Sequence, residues 1–171
     1  MAKKAKDLIA HKSGSSAHKR KTKPKMKGEL TLIVCEGTTT EIHYFKDMVH
    51  ALKLSSAQVK VCHGKHSNPE SVLDKAIDIY NEEKKYEKIY VVVDVDEHSN
   101  NLQQAKIKLK AHRFANRIKD GSKIRKPIAQ IIVSKPCIEL WFILHFELLQ
   151  KTFSKTTNSI SINCKNHLRD N

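Results

Sequence analysis

Leu30-Thr31-Leu32-Ile33-Val34-Cys35-Glu36-Gly37-Thr38-Thr39-Thr40-Glu41 is the stretch on which the fold turns. Its first half is a short, largely β-branched apolar run, the pattern of a strand buried on both faces rather than on one. The run stops abruptly at Glu36-Gly37, where a tight turn is expected. Thr38 with Glu41 three residues later matches a capping box, the threonine serving orphan amides and the glutamate reaching back. Tyr44, Phe45, Met48 and Leu52 then follow at helical spacing. Strand, tight turn, helix is the unit so defined.

Working outward, the unit recurs. Val59, Val61 and Cys62 alternate with polar residues as a weaker strand, and Asn68-Pro69 marks a helix start with Asn as cap and Pro at the first helical position. Val72, Leu73, Ala76, Ile77 and Tyr80 supply that helix's apolar stripe. Ile89 to Val93 form the clearest strand, ending in Asp94-Val95-Asp96-Glu97. A basic helix is expected from about Asn101 to Ile118, a fourth strand over Ile128–Val133, and a last apolar helix opened by Ser134-Lys135-Pro136. Strands alternating with helices in this way imply an α/β fold with a mainly parallel central sheet and helices on both faces. Ligands of such sheets bind outside the carboxyl ends of the strands.

Residues 1–28 are rich in Lys, Ser, His and Gly and too poor in large apolar groups to offset the entropy of ordering, so they read as a basic disordered arm. Residues 29–150 read as the domain. Residues 151–171, rich in Ser, Thr and Asn, show no clear pattern and read as an extension or a remnant of a longer element.

The net charge of +14 is concentrated in two places. Met1 to Lys27 holds ten Lys or Arg against Asp7, and Lys106 to Lys126 holds nine against Asp120. The remainder is mildly acidic. Two basic segments on an acidic body suit a polyanion-binding surface, with Lys106, Lys110, Arg113 and Arg117 as its candidates. A lysine-rich N-terminus serves equally as a solubilising arm. The four cysteines stand apart without a CxxC pair, three of them in apolar runs, which argues against a disulfide framework or a zinc site. No apolar run approaches the roughly 20 residues of a membrane span. A reduced, cytoplasmic protein with no membrane association is expected.

Glu36 follows the first strong strand and Asp94 and Asp96 follow the third, so a parallel sheet delivers all three to one edge if those strands are neighbours. Clustered carboxylates raise one another's pKa and are usually tolerated where a hard cation neutralises them; Mg²⁺, or Mn²⁺, is the natural occupant. Asp94 and Asp96, two apart in an extended segment, point the same way, so one ion can touch both. A lone DxD is more often an ordinary solvated loop pair; here it ends the most hydrophobic strand and a second acid ends another. Glu41 is either a further carboxylate of the site or the capping glutamate. Glu139, among apolar neighbours where a lone charge is costly, is either a fourth acid or a partner for Lys135. Lys135, preceding a helix N-terminus, is placed to hold a phosphate. His98 beside the acidic segment, with His63 and His66, could serve near a phosphate or be loop residues, while His43 and His145 read as packing residues.

Three segments in order, Ile33 to Glu41 with Tyr44-Phe45, Val93 to Glu97, and Ser134 to Phe146, resemble the RloB-like family of bacterial defence-associated proteins, which are similar to the TOPRIM domains of topoisomerases, primases and OLD-type nucleases. The resemblance covers about residues 30 to 147. It implies a three-layer α/β/α TOPRIM-like fold, with Glu36 as the catalytic glutamate and Asp94 and Asp96 as the DxD metal ligands. It further implies that Glu41 and Glu139 help hold a second metal. The chain departs from the family pattern at Lys135, where Asn is more usual.

The function expected is metal-dependent phosphodiester hydrolysis of DNA or RNA in antiphage defence, with an ATPase as a candidate partner and oligomerisation open. The alternatives are a non-catalytic nucleic-acid-binding or ATPase-partner subunit and, on the DxD alone, a phosphatase acting on small phosphoesters. A single small domain argues against a topoisomerase, which needs a tyrosine nucleophile on another domain, and against a primase.

Overall fold

Leu32, Ile33, Val34 and Cys35 are all buried in strand β1 (Thr31–Cys35), as a run without polar alternation requires. The computed structural model describes residues 29–171 apart from 56, 57, 67, 96–98, 120, 124, 151 and 171. β1 lies inside a four-stranded sheet of order β2-β1-β3-β6, built with β2 (Val59–His63), β3 (Lys88–Asp94) and β6 (Ile128–Ser134), and every pairing is parallel. The fold is α/β.

The alternating faces of β1 and β3 feed two cores. Leu32, Val34, Val91 and Val93 pack with Val72, Leu73, Ala76 and Tyr80 of α2 (Pro69–Glu83) and Leu102 and Ala105 of α3 (Ser99–Ala111). Ile33, Cys35 and Val92 face the other way, onto Ile42 and Phe45 of α1 (Thr40–Ala51). Two helical layers therefore enclose the sheet, giving three-layer α/β/α packing. Burying one such side chain fully contributes about 1.5–3 kcal/mol. Helix α2 starts as its sequence directs: Asn68 Oδ1 accepts from the Ser71 amide at 2.9 Å, and Pro69 takes the first position.

Three expectations are revised. The helix expected to reach Ile118 stops at Ala111. Phe114 falls five residues after Leu109, out of helical phase, and instead turns inward onto Tyr80, ring centroids 5.3 Å apart. A small hairpin of β4 (Ile118–Lys119) and β5 (Ser122–Lys123) follows, turned at Gly121 with φ +79°. The last apolar helix, α4 (Glu139–Phe146), begins five residues later than Ser134, because Ser134 pairs with Asp94 and its carbonyl accepts from the Val95 amide at 2.9 Å. The sheet claims that residue before a helix can.

The third revision concerns the tail, which carries helix α5 (Ile160–Asp170). Cys164 and Leu168 of α5 close a small core with Cys137, Leu140 and Ile143. The described cysteines are free thiols, and the region 1–28 read as a basic arm lies outside the described residues. No helix among the described residues is long and apolar enough to cross a membrane.

Candidate functional site

The sheet register decides which acids meet. Cys35 is level with Val92, and the Glu36 amide donates to the Val92 carbonyl at 2.9 Å, so Glu36 leaves β1 as β3 runs on to Asp94. The Glu36 carboxylate then turns across and accepts from the Asp94 amide, with Oε2 3.1 Å from that nitrogen. This bond fixes the direction of Glu36 from the backbone of the neighbouring strand.

Glu41 reaches the same place from α1. The capping box expected with Thr38 does not form: the residue before the helix is Thr39, and no side chain caps the first turn. Glu41 is buried instead, and its carboxylate lies over Gly37, where a Cβ would fall 2.0 Å from Glu41 Oε2. Gly37 thus leaves the room that the Glu41 carboxylate occupies.

Glu139 opens α4 and completes the set. Glu36, Glu41, Asp94 and Glu139 line one cavity of about 330 Å³, together with Gly37 and Thr38 to Thr40 and one cation, Lys165 of α5. Lys165 Nζ stands 3.8 Å from Glu139 Oε1. Burial, then the charges of Glu41, Glu139 and Glu36, push Asp94 up to about 7, and Lys165 opposes them. Burial also raises Glu36, against the pull of the Asp94 amide. Asp94 Oδ1 and Glu139 Oε2 are buried without a hydrogen-bond partner. Unpartnered buried carboxylate oxygens are costly and call for a compensating charge.

Other candidates lie elsewhere. Asp96 and His98 fall outside the described residues. Lys135 is exposed and lines an apolar groove between α1, β6 and α4, four residues before α4 starts, and the cation beside Glu139 is Lys165. Lys106 and Lys110 are exposed on α3, and Arg113 is exposed beyond its end. Arg117, expected to face nucleic acid, is 11% exposed; its guanidinium is paired with Glu87 at 2.5 Å and donates to the Arg125 carbonyl at 3.0 Å. It ties the segment after α3 to the sheet. His63 and His145 hydrogen-bond backbone carbonyls, of Gly64 and Trp141.

Sequence reading missed Lys165 because the Ser, Thr and Asn content of the tail hid the spacing of Ile160, Cys164 and Leu168, which makes one apolar face of a helix.

The donor chemistry of the cavity, four carboxylates with oxygens to satisfy and mutual repulsion to relieve, fits a hard divalent cation. Among the described residues no three His, Cys, Asp or Glu side chains already stand at ligand spacing. The arrangement is an open acidic pocket with one lysine on its wall.

Comparison with known protein families finds one match along the chain. The family model described as RloB-like protein matches residues 31–170. The chain belongs to the RloB-like family. The RloB-like match runs beyond α4 through α5, so it includes Lys165 as well as the four acids. No curated protein and no solved structure matches the chain.

Proposed function

We propose that this RloB-like chain is a metal-dependent nuclease that hydrolyses phosphodiesters of DNA or RNA, in the antiphage role that its family resemblance implies and with an ATPase partner. The observation that carries the reading is the convergence of Glu36, Glu41, Asp94 and Glu139 on one cavity at the carboxyl edge of the sheet, with Asp94 pushed up to about 7 by its neighbours.

In this reading Asp94 and Glu139, through their unpartnered oxygens, are ligands of Mg²⁺ or Mn²⁺, with Glu36 and Glu41 beside them. Asp96, two residues along the chain from Asp94, is the further ligand that the family resemblance implies. A bound divalent ion supplies positive charge against the scissile phosphate and makes an attacking water more acidic. Glu36 is aimed by the Asp94 amide, and with its pKa raised it is suited to accept a proton from an attacking water. Lys165 puts a second positive charge on the cavity wall, where it favours the extra charge of the transition state. Lys106, Lys110 and Arg113 hold the polyanion by phosphate contacts that carry no sequence information.

The test is incubation with plasmid, single-stranded DNA, RNA and tRNA in Mg²⁺ or Mn²⁺, with the ATPase partner present and absent, beside Glu36→Gln and Asp94→Asn. Cleavage by the wild type, lost by at least about 100-fold in both variants, is expected. Cleavage that survives both substitutions refutes the site. The second reading, a binding subunit without chemistry of its own, is favoured by the lack of a ready ligand triad among the described residues; its signature is salt-sensitive retention of nucleic acid with no cleavage in any arm.

A further inference from the structure

The two edges of the sheet are protected unequally. β2, at one edge, is five residues long, carries Lys60 and His63, and has Lys60 tied to Glu83. Such charges discourage pairing with another strand. β6, at the other edge, runs Ile128-Ala129-Gln130-Ile131-Ile132-Val133-Ser134 without a charge or a proline, and among the described residues no strand pairs with its outer side. Beside it, between α1, β6 and α4, lies an apolar groove of about 410 Å³ whose walls include Tyr44, Met48, Ile132, Trp141 and Leu144. A long uncharged edge next to an open apolar groove is the form of a covered surface.

We propose that β6 and this groove are the interface of a two-fold dimer, in which β6 of one copy pairs antiparallel with β6 of the other. A two-fold axis perpendicular to the sheet keeps the α1 and α4 layers of both copies on one side, so the two grooves meet above the join and the contact is self-complementary. The sheet becomes continuous over eight strands. Ile128, Ile132, Val133, Trp141 and Leu144 are each 38% to 58% exposed. At about 200 Å² per full side chain they offer on the order of 500 Å² of apolar surface, and the strand backbone and groove walls bring this near the roughly 800 Å² per partner of a standard interface. The basic arm does not suit the groove: ten of its first 27 residues are Lys or Arg.

Because the contact is apolar while Lys126 and Lys135 flank β6 with like charge, salt tightens the dimer, whereas it weakens nucleic-acid binding. Sedimentation of the full chain between about 1 and 100 µM, at low and high salt, tests this. The expected species at the upper end is about 39 kDa, twice the 19.6 kDa of the chain. The emission of Trp141, the sole tryptophan, moves to shorter wavelength over the same range. Ile132→Lys and, separately, Leu144→Lys, both at exposed positions, weaken association at least about 30-fold with circular dichroism unchanged. A wild type monomeric at 100 µM overturns the proposal. Open-ended oligomers, or a dimer that both variants leave intact, overturn it equally.

Discussion

Asp94→Asn should make the metal-free protein more stable at pH 8. The Asp94 carboxyl is pushed from an ordinary 3.8 to about 7, first by burial and then by Glu41, Glu139 and Glu36. Its proton is therefore held more tightly in the folded than in the unfolded chain. Between about pH 4 and pH 7 the folded state binds more protons, so stability falls as pH rises through that window, and the full penalty is present above it. About three pH units correspond to a ceiling near 4 kcal/mol, and water in the open cavity reduces this to roughly 2 kcal/mol. Asparagine has no proton to lose and leaves the same volume filled. In chelator at pH 8 the variant should melt roughly 4–8 °C above the wild type, with the gap shrinking by more than half at pH 5. Millimolar Mg²⁺ should close it from the other side by stabilising the wild type alone. Scanning calorimetry at the two pH values, with and without Mg²⁺, is the assay. If the variant melts below the wild type at pH 8 in chelator, the Asp94 charge is compensated within the fold and the reasoning about the cavity is wrong.

Arg117→Gln should cost about 1–3 kcal/mol in urea titrations and leave the salt slope of nucleic-acid binding unchanged, because its guanidinium is committed to Glu87 and the Arg125 carbonyl. Replacing Lys106, Lys110 and Arg113 together by glutamine should lower that slope by up to about 3 with stability kept, read from filter binding between 50 and 200 mM salt. Gly37→Ala should leave stability within about 1 kcal/mol, because only the flexible end of Glu41 has to move, but should weaken Mg²⁺ binding by isothermal titration as that carboxylate swings out. Burial raises Glu83, but Lys60, Lys85 and Tyr86 outweigh it and bring it down to about 2, so its stabilisation is present above the ordinary 4.5 and lost as pH falls towards 2. Glu83→Gln should therefore cost about 1 kcal/mol at pH 7 and nothing near pH 2, by urea midpoints.

The two central strands were legible because each is built on an unbroken apolar run, and a strand buried on both faces has few other ways to read. Glu36 and Asp94 were legible for the same reason: each ends such a run, and parallel pairing brings the ends together. The elements misread were those set by distant partners. Nothing local says that Ser134 will be held by Asp94 and Val95, or that Phe114 will abandon helical phase for Tyr80. Glu41 fitted a local capping rule that the turn at Gly37 overrode. Arg117 looked like one of nine cations in a basic segment, and only the fold reveals that Glu87 stands within reach. Lys165 stayed hidden because its helix presents a narrow apolar face to a small core, so polar residues dominate its composition.

The bond from the Asp94 amide to the Glu36 carboxylate spans 58 residues of chain, yet it is measured off the sheet itself, one residue past Cys35 on β1 and two past Val92 on β3. A single residue inserted or deleted within β1 or β3 would turn one of these acids to the opposite face, whatever side chains surrounded it. Deletion scanning of the gene should thus find length fixed in the two central strands, so that the pocket behaves as a property of strand length before it is a property of any one carboxylate.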